Sequence, residues 1–289
     1  MSKLKIILGT VQFGLNYGIN NYNGKPEQNQ VNEILLTAMQ AGIQCLDTAE
    51  AYGNAHQIIG DFHKKNLSAK FEVISKLPHK LDKDFETKVE TYLKDLDVPC
   101  LKGLLFHSFE TYKECKGSIG LLGEFKKSGK VKYIGVSIYS NSHLEELIQD
   151  TEIDIIQLPF NMLDNVSIKG GLLQKAKEAG KIIHTRSAFL QGLFFKAIED
   201  PNKIVRSLEP SLRRIQEISR FYNIPIRQMA LNYCLDQKNI DEVLIGVDNL
   251  EQLKQNLNDV DLVMPTDLIE ELNKIKVMDT NLLNPALWN

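Results

Sequence analysis

The sequence predicts an α/β fold, an eight-stranded (β/α)8 TIM barrel, over residues 1–289 as one domain. Three observations carry that prediction. Short apolar runs alternate with helical patterns along the chain, which is the signature of parallel βαβ units. Successive strand ends at Asp47, Lys76, His107 and Ser137 are separated by 29, 31 and 30 residues. The rival architecture, an open doubly wound sheet, wants a G-x-G-x-x-G turn after its first strand, and Gly9-Thr10-Val11-Gln12-Phe13-Gly14 does not supply one.

The elements follow in order. Residues 4–8 form the first strand, and turn chemistry spans 20–26. Residues 30–41 carry Val31, Ile34, Leu35, Ala38 and Met39 on one helical face, which Gly42 ends. The apolar run 42–46 is a buried strand leading into Asp47, and a helix over 56–64 follows, with Ile58, Ile59 and Phe62 on one side. The unit then repeats: strand 71–76, helix 85–96, strand 101–107, helix 119–128, strand 131–137, helix 142–149, strand 153–157, helix 171–179 and strand 181–185. Helical segments 210–222 and 225–236 precede a last strand, 243–245, and helices 250–257 and 266–275. The strands are apolar throughout, as expected where both faces are covered. Residues 193–210 read as an exposed excursion over the barrel mouth.

Composition narrows the function. With 43% hydrophobic and 25% charged residues, the chain is ordinary for a soluble globular protein. A net charge of −3 argues against nucleic acid as a partner. No apolar run approaches the roughly 20 residues that cross a bilayer, and the first nine residues are too short and too soon interrupted for a signal peptide. A cytoplasmic location is expected, as a monomer or small homo-oligomer without a membrane partner. Cys45, Cys100, Cys115 and Cys234 show neither C-x-x-C pairing nor metal-ligand spacing, so reduced thiols and no metal are expected.

In such barrels the reaction centre lies at the carboxyl ends of the strands. Those positions hold Asp47, Lys76 and His107, with Tyr52 in the loop after Asp47. Each alone has a bland reading: a helix cap, a solvated lysine, a structural histidine, a loop anchor. Their succession points to chemistry. The ordinary pKa of a tyrosine, about 10, is high for proton donation at neutral pH. The Lys76 ammonium is expected to lower it, and Asp47 to hold that ammonium in a partly dry site. His107 can hydrogen-bond the oxygen of a bound carbonyl. The set makes a tuned general acid beside an electrophile pocket. No side chain supplies hydride, so a nicotinamide must be bound.

Three motifs, Asp-Thr-Ala-Glu-Ala-Tyr-Gly at 47–53, Ser-Lys-Leu at 75–77 and Leu-Phe-His at 105–107, give the chain a resemblance to the aldo-keto reductases. It extends from Gly9-Thr10 to the last helix. The resemblance implies that Tyr52 donates the proton, that Lys76 and Asp47 tune it, and that His107 positions the substrate. It also implies cofactor contacts. Gly9 and Thr10 stand at its start, and Ser137 and Gln157 match residues that hold the carboxamide. The family usually has Asn after that serine. Here it is Ile138, with Asn161 as a replacement. Arg186 falls where many members stack an aromatic ring on the nicotinamide, and a guanidinium can stack too. The segment from Ser187 to Gly192 matches the loop that embraces the pyrophosphate. The segment from Gly246 to Asn256, with Asp248, Gln252 and Gln255, matches the adenosine-phosphate clamp.

NADP-preferring members carry basic residues where Asp248 and Gln252 stand. A 2′-phosphate beside Asp248 is repelled, whereas a ribose hydroxyl can donate to it. The expected cofactor is therefore NADPH or NADH, with NADH tolerated or favoured. The plain alternative is that Asp248 caps the next helix. Phe13, Tyr17, Tyr22, Phe109, Tyr139, Phe160, Phe189 and Trp288 are candidate pocket walls, with Asn16, Asn161 and His79 adding polarity. That mixture suits a sugar, a sugar nucleotide or another polar carbonyl compound. The expected function is reduction of an aldehyde or ketone by NAD(P)H. The alternatives are a cofactor-binding regulatory subunit of the same fold, and an aldolase with Lys76 as Schiff base, which has no need of the tyrosine and histidine.

Overall fold

Eight parallel strands close into a barrel in chain order. They are β1 (Ile6–Gly9), β2 (Cys45–Asp47), β3 (Glu72–Leu77), β4 (Leu101–Phe106), β5 (Val131–Ser137), β6 (Ile155–Pro159), β7 (Ile182–Arg186) and β8 (Glu242–Gly246). The structure is a computed structural model and describes residues 4–21, 23–67, 70–80 and 84–288. Closure comes from β1 pairing with both neighbours: Gly9 lies opposite Asp47 of β2 and opposite Gly246 of β8.

The two-residue strand period sorts the side chains. One residue from each strand forms an apolar layer inside the barrel: Ile7, Cys45, Ile74, Leu105, Tyr133, Ile155, Ile182 and Leu244. The other parity, including Leu8, Leu46, Val73, Leu104 and Ile156, meets the surrounding helices in the main core. Such a layer is a packed plug, not a pore. Towards the amino ends of the strands Lys102 bridges Glu72 and Glu242, at 3.0 and 3.4 Å.

The helices outside include Gln28–Gln40, Ala55–Lys65, Phe85–Leu96, Asn141–Gln149, Val166–Glu178, Lys203–Tyr222, Ile226–Leu235 and Leu250–Asn258. Two differ instructively from expectation. Pro210 does not open its helix. The helix begins at Lys203, where the Asn202 side chain accepts from the amides of Ile204 and Val205. Val205, Leu208, Leu212, Ile215 and Ile218 run as one buried face through the proline. Burial of that face outweighs the single hydrogen bond that proline removes. The stretch 193–210 is consequently no exposed excursion, since Leu193, Phe194, Ile198, Val205 and Leu208 are all buried. A helix at Phe109–Cys115, capped by Ser108, also escaped the periodicity.

Candidate active site

Two residues above the interior layer, the same inward parity presents Asp47, Lys76 and Gln157, and His107 follows the end of β4. Asp47 and Lys76 are each only 1% exposed. The Lys76 ammonium donates to the Asp47 carboxylate and, at 3.1 Å, to the carbonyl of Thr48. Gln157 Nε2 donates to the other carboxylate oxygen of Asp47 at 2.8 Å. Burial pushes the Lys76 ammonium below its ordinary pKa, and the Asp47 charge opposes that.

Tyr52 is delivered to this pair by a tight loop. Its amide donates to Ala49 O and its carbonyl accepts from Ala55, at 3.0 and 3.1 Å. The loop rests on the short helix Val11–Gly14. A Cβ on Gly14 would stand 1.7 Å from the Tyr52 carbonyl oxygen, and one on Gly53 (φ +58°) would stand 2.6 Å from the Gly14 oxygen. Only glycine admits this approach. Lys76 Nζ then lies 5.3 Å from the centre of the Tyr52 ring. The His107 ring meets Tyr52 edge-on, with centres 5.7 Å apart, and His79 stacks on His107 at 4.4 Å.

The expected lowering of Tyr52 by Lys76 is corrected here. Burial, then the Asp47 carboxylate, push the phenol above its ordinary pKa, and the opposing cation is Arg186. The physical reason is desolvation, which penalises the phenolate more than the neighbouring cations favour it. The His107 imidazole is driven down to about 2 by burial and by Lys76, His79 and Arg186, so it is neutral at physiological pH.

These groups open into a cavity of about 1040 Å³. Asp47, Tyr52, Lys76 and His107 line it, as do Gly9, Thr10, Ser137, Gln157, Arg186, Ser187, Gly192, Gly246, Asp248, Gln252, Gln255 and Asn256. The cavity runs from the tetrad across β7 and β8 to the start of helix Leu250–Asn258. Over it, Asn20 Nδ2 donates to Gly192 O at 2.9 Å, and Gln191 Nε2 donates to the Tyr17 hydroxyl at 2.6 Å. At the far end Asn249, not Asp248, caps the helix by accepting from the Gln252 amide. Asp248 and Gln252 bond each other reciprocally, at 2.8 and 3.0 Å. Arg227 is held by Asp259 and Gln255, each at 2.6 Å.

Several expectations for individual residues change. Gln157 is turned to Asp47. Asn161 is fully buried and spends its amide within its own loop and on Ser187 O, so it is no substitute at Ile138. Arg186 lays its guanidinium 4.1 Å from the centre of the Tyr139 ring and donates to Ile138 O at 3.0 Å. Tyr17, Phe109, Tyr139, Phe189 and His79 line the cavity. Phe13 and Phe160 are core residues. Asn16 accepts from the Lys25 amide and Trp288 donates to Leu282 O, both away from the cavity lining. Tyr22 lies outside the described residues. Sequence reasoning overlooked Gln12, which faces Gly246 and keeps a buried Oε1 without a hydrogen-bond partner among the described residues. Its place just after the carboxyl end of β1, two residues beyond Thr10, was the available signal.

The sequence model of the Aldo/keto reductase family matches residues 5–277. Among curated proteins the chain is similar to the NADH-specific methylglyoxal reductase of Escherichia coli K12, at 24% identity over 92% of this chain and 95% of that protein. It is also similar to the L-glyceraldehyde 3-phosphate reductase of Escherichia coli O157:H7, at 24% identity over 86% and 83%. Among solved structures it resembles the holo form of aldo-keto reductase AKR11C1 from Bacillus halodurans, with a TM-score of 0.77 and 18% identity over 94% and 91% of the two chains. A thermostable aldo-keto reductase, Tm1743, in complex with the inhibitor epalrestat gives 0.73 and 23% over 94% of both.

Proposed function

This chain belongs to the aldo/keto reductase family, and on that premise we propose that it reduces a small polar aldehyde or ketone to the alcohol, with NADH or NADPH as reductant and Tyr52 as general acid. It acts as a one-domain enzyme of the cytoplasm. The observation that carries the reading is the convergence of Tyr52, His107 and the Lys76–Asp47 pair on one cavity of about 1040 Å³.

A dinucleotide suits the residues present. The cavity lies at the upper end of the range for ligand sites. The buried Oε1 of Gln12 awaits a donor, and Gly246 leaves room that a Cβ would fill to 2.8 Å from Gln12 Nε2. Ser137 would hold the carboxamide, with Gln157 limited to its amide oxygen because its Nε2 is given to Asp47; the loop from Ser187 to Gly192 would hold the pyrophosphate, and Asp248 with Gln252 the adenosine ribose. When bound, the reduced nicotinamide supplies the hydride.

The protein's own groups handle the proton. Neutral His107 donates a hydrogen bond to the carbonyl oxygen and orients it towards Tyr52. The Tyr52 hydroxyl then gives its proton to that oxygen as negative charge develops there. Burial keeps the phenol protonated at neutral pH, so the donor is loaded when substrate arrives. The tyrosinate left behind faces the Arg186 guanidinium, the cation that opposes the upward shift of the phenol and favours its ionised form. Gln157 and Thr48 hold the Asp47–Lys76 pair in place.

NADH is the favoured reductant in this reading. Asp248 offers a carboxylate where a 2′-phosphate would lie, and the nearby Arg227 is already neutralised by Asp259. The similar methylglyoxal reductase is named NADH-specific, which supports both the cofactor and a small carbonyl substrate. The test is a panel of aldehydes and ketones with each reduced nicotinamide, followed by nicotinamide absorbance. Tyr52→Phe should lower kcat by roughly 10²–10⁴ while cofactor still binds. Undiminished turnover in that variant refutes the assignment. Tight cofactor binding with no turnover across the panel returns the chain to the regulatory-subunit reading.

A further inference from the structure

Three cations line the cavity, and two of them are spoken for. Lys76 pairs with Asp47, and Arg227 with Asp259. Arg186 has no carboxylate within ion-pair distance among the described residues. Its guanidinium is instead fixed by the Tyr139 ring at 4.1 Å and by one bond, from Nη2 to Ile138 O at 3.0 Å. That uses one of its five donors. Asp164, a buried acid whose charge reaches Arg186, is itself held by Lys169 and offers little net counterweight. The acids on the cavity lining besides Asp47 stand elsewhere: Glu110 is exposed on the rim after β4, and Asp248 is bonded to Gln252 after β8.

An oriented, half-buried guanidinium with free N–H groups is a receptor for a planar or tetrahedral oxyanion. Its surroundings add a second donor: His143 lines the same cavity and keeps a buried Nδ1 without a partner among the described residues, a position where its N–H can meet an anion. Arg186, Tyr52 and His107 line one cavity, so an anion held by the guanidinium shares that space with the reacting pair.

We infer that the substrate carries a carboxylate or a phosphate within a few bonds of its carbonyl, and that Arg186 binds this anion and selects for it. This rests on the reductase reading and narrows it to anionic carbonyl compounds. Stacking on Tyr139 holds the guanidinium ready, so little conformational freedom is lost when the anion arrives.

The test uses the full chain with saturating reduced nicotinamide and two substrate pairs. 4-Oxobutanoate is compared with its methyl ester, and glycolaldehyde phosphate with glycolaldehyde, which separates carboxylate from phosphate. The readout is the ratio of kcat/KM within each pair, in which effects on cofactor binding cancel. At least one pair should favour the anion by roughly tenfold or more, through KM. Arg186→Gln should bring that ratio close to one, and Arg186→Lys should keep part of it. Ratios near one in the unaltered protein, or an unchanged ratio in Arg186→Gln, overturn the inference. Should Arg186→Gln not fold, the unaltered protein and Arg186→Lys decide. If no carbonyl turns over, the reductase reading fails by itself. Calorimetry of butanoate and of inorganic phosphate with the cofactor-loaded chain then decides the anion site, which stands if either binds and weakens roughly tenfold in Arg186→Gln, and falls if neither does.

Discussion

Replacing Lys76 by methionine separates what the buried ion pair does for the fold from what it does for chemistry. The change leaves the Asp47 carboxylate 1% exposed, with Gln157 Nε2 as its remaining side-chain donor. An uncompensated charge in such a place costs about 3–5 kcal/mol. A second route gives a similar bound. The carboxyl can escape by taking a proton, and moving an ordinary Asp from pKa 3.9 to above 7 costs about 4 kcal/mol at pH 7. The expected destabilisation is therefore about 4 kcal/mol at pH 7, and it shrinks by about 1.4 kcal/mol for each pH unit of acidification. For a chain of 289 residues, with an unfolding entropy of about 0.6 kcal/mol/K, that corresponds to a fall in Tm of roughly 7 °C at pH 7. The double variant Asp47→Asn with Lys76→Met removes the stranded charge and should recover most of the loss, while turnover stays abolished in both. Differential scanning calorimetry at pH 7 and pH 5, beside a turnover assay, supplies the readings. Equal melting of single and double variants, or a penalty that does not relax in acid, refutes the reasoning.

The remaining expectations concern cofactor choice and acid. Asp248→Arg should shift the ratio of NADH to NADPH dissociation constants towards NADPH by roughly tenfold, since one repulsion at a half-exposed site becomes an attraction. Fluorescence titration of both nicotinamides reads this, and an unchanged ratio removes Asp248 from the discriminating position. His56 and His184 are buried and held down to about 4. Below pH 6.5 the unfolded chain takes up protons that these folded imidazoles refuse, so the stability they contribute is complete above 6.5 and drains away as pH falls towards 4. Each accounts for about 3 kcal/mol at the limit. Urea midpoints at pH 7, 6 and 5 should fall, and should fall less steeply in the double variant His56→Gln with His184→Gln.

Local signals made the barrel legible, and with it the convergence of four side chains on one cavity. The strand Val131–Ser137 and the helix Phe85–Leu96 keep their expected bounds because each is framed by strong punctuation, Gly129 in one case and Asp84 in the other. Asp47, Tyr52, Lys76 and His107 were readable because the strand-end rule needs only register, not contacts. What escaped depends on distance along the chain. Gln157 reaches Asp47 across 110 residues, and Asn20 reaches Gly192 across 172. No motif encodes such meetings. The sign of the Tyr52 shift escaped for a related reason. A neighbouring cation can be read from a motif, but desolvation depends on everything that surrounds the ring. The helix at Phe109–Cys115 is seven residues long, less than two turns of usable periodicity, and its cap by Ser108 was the better clue.

The contact between Gly14 and the loop at Tyr52 and Gly53 limits how this mouth can change. Main chain lies on main chain there, so no side chain is available to act as a shim, and every substitution lifts the phenol off its seat. New specificities must come from the opposite rim, where Phe109, Tyr139 and Arg186 project into the cavity without bearing on that seam. A designer seeking a roomier or differently charged mouth can therefore treat the two glycines as a fixed hinge plate and vary only the rim facing them.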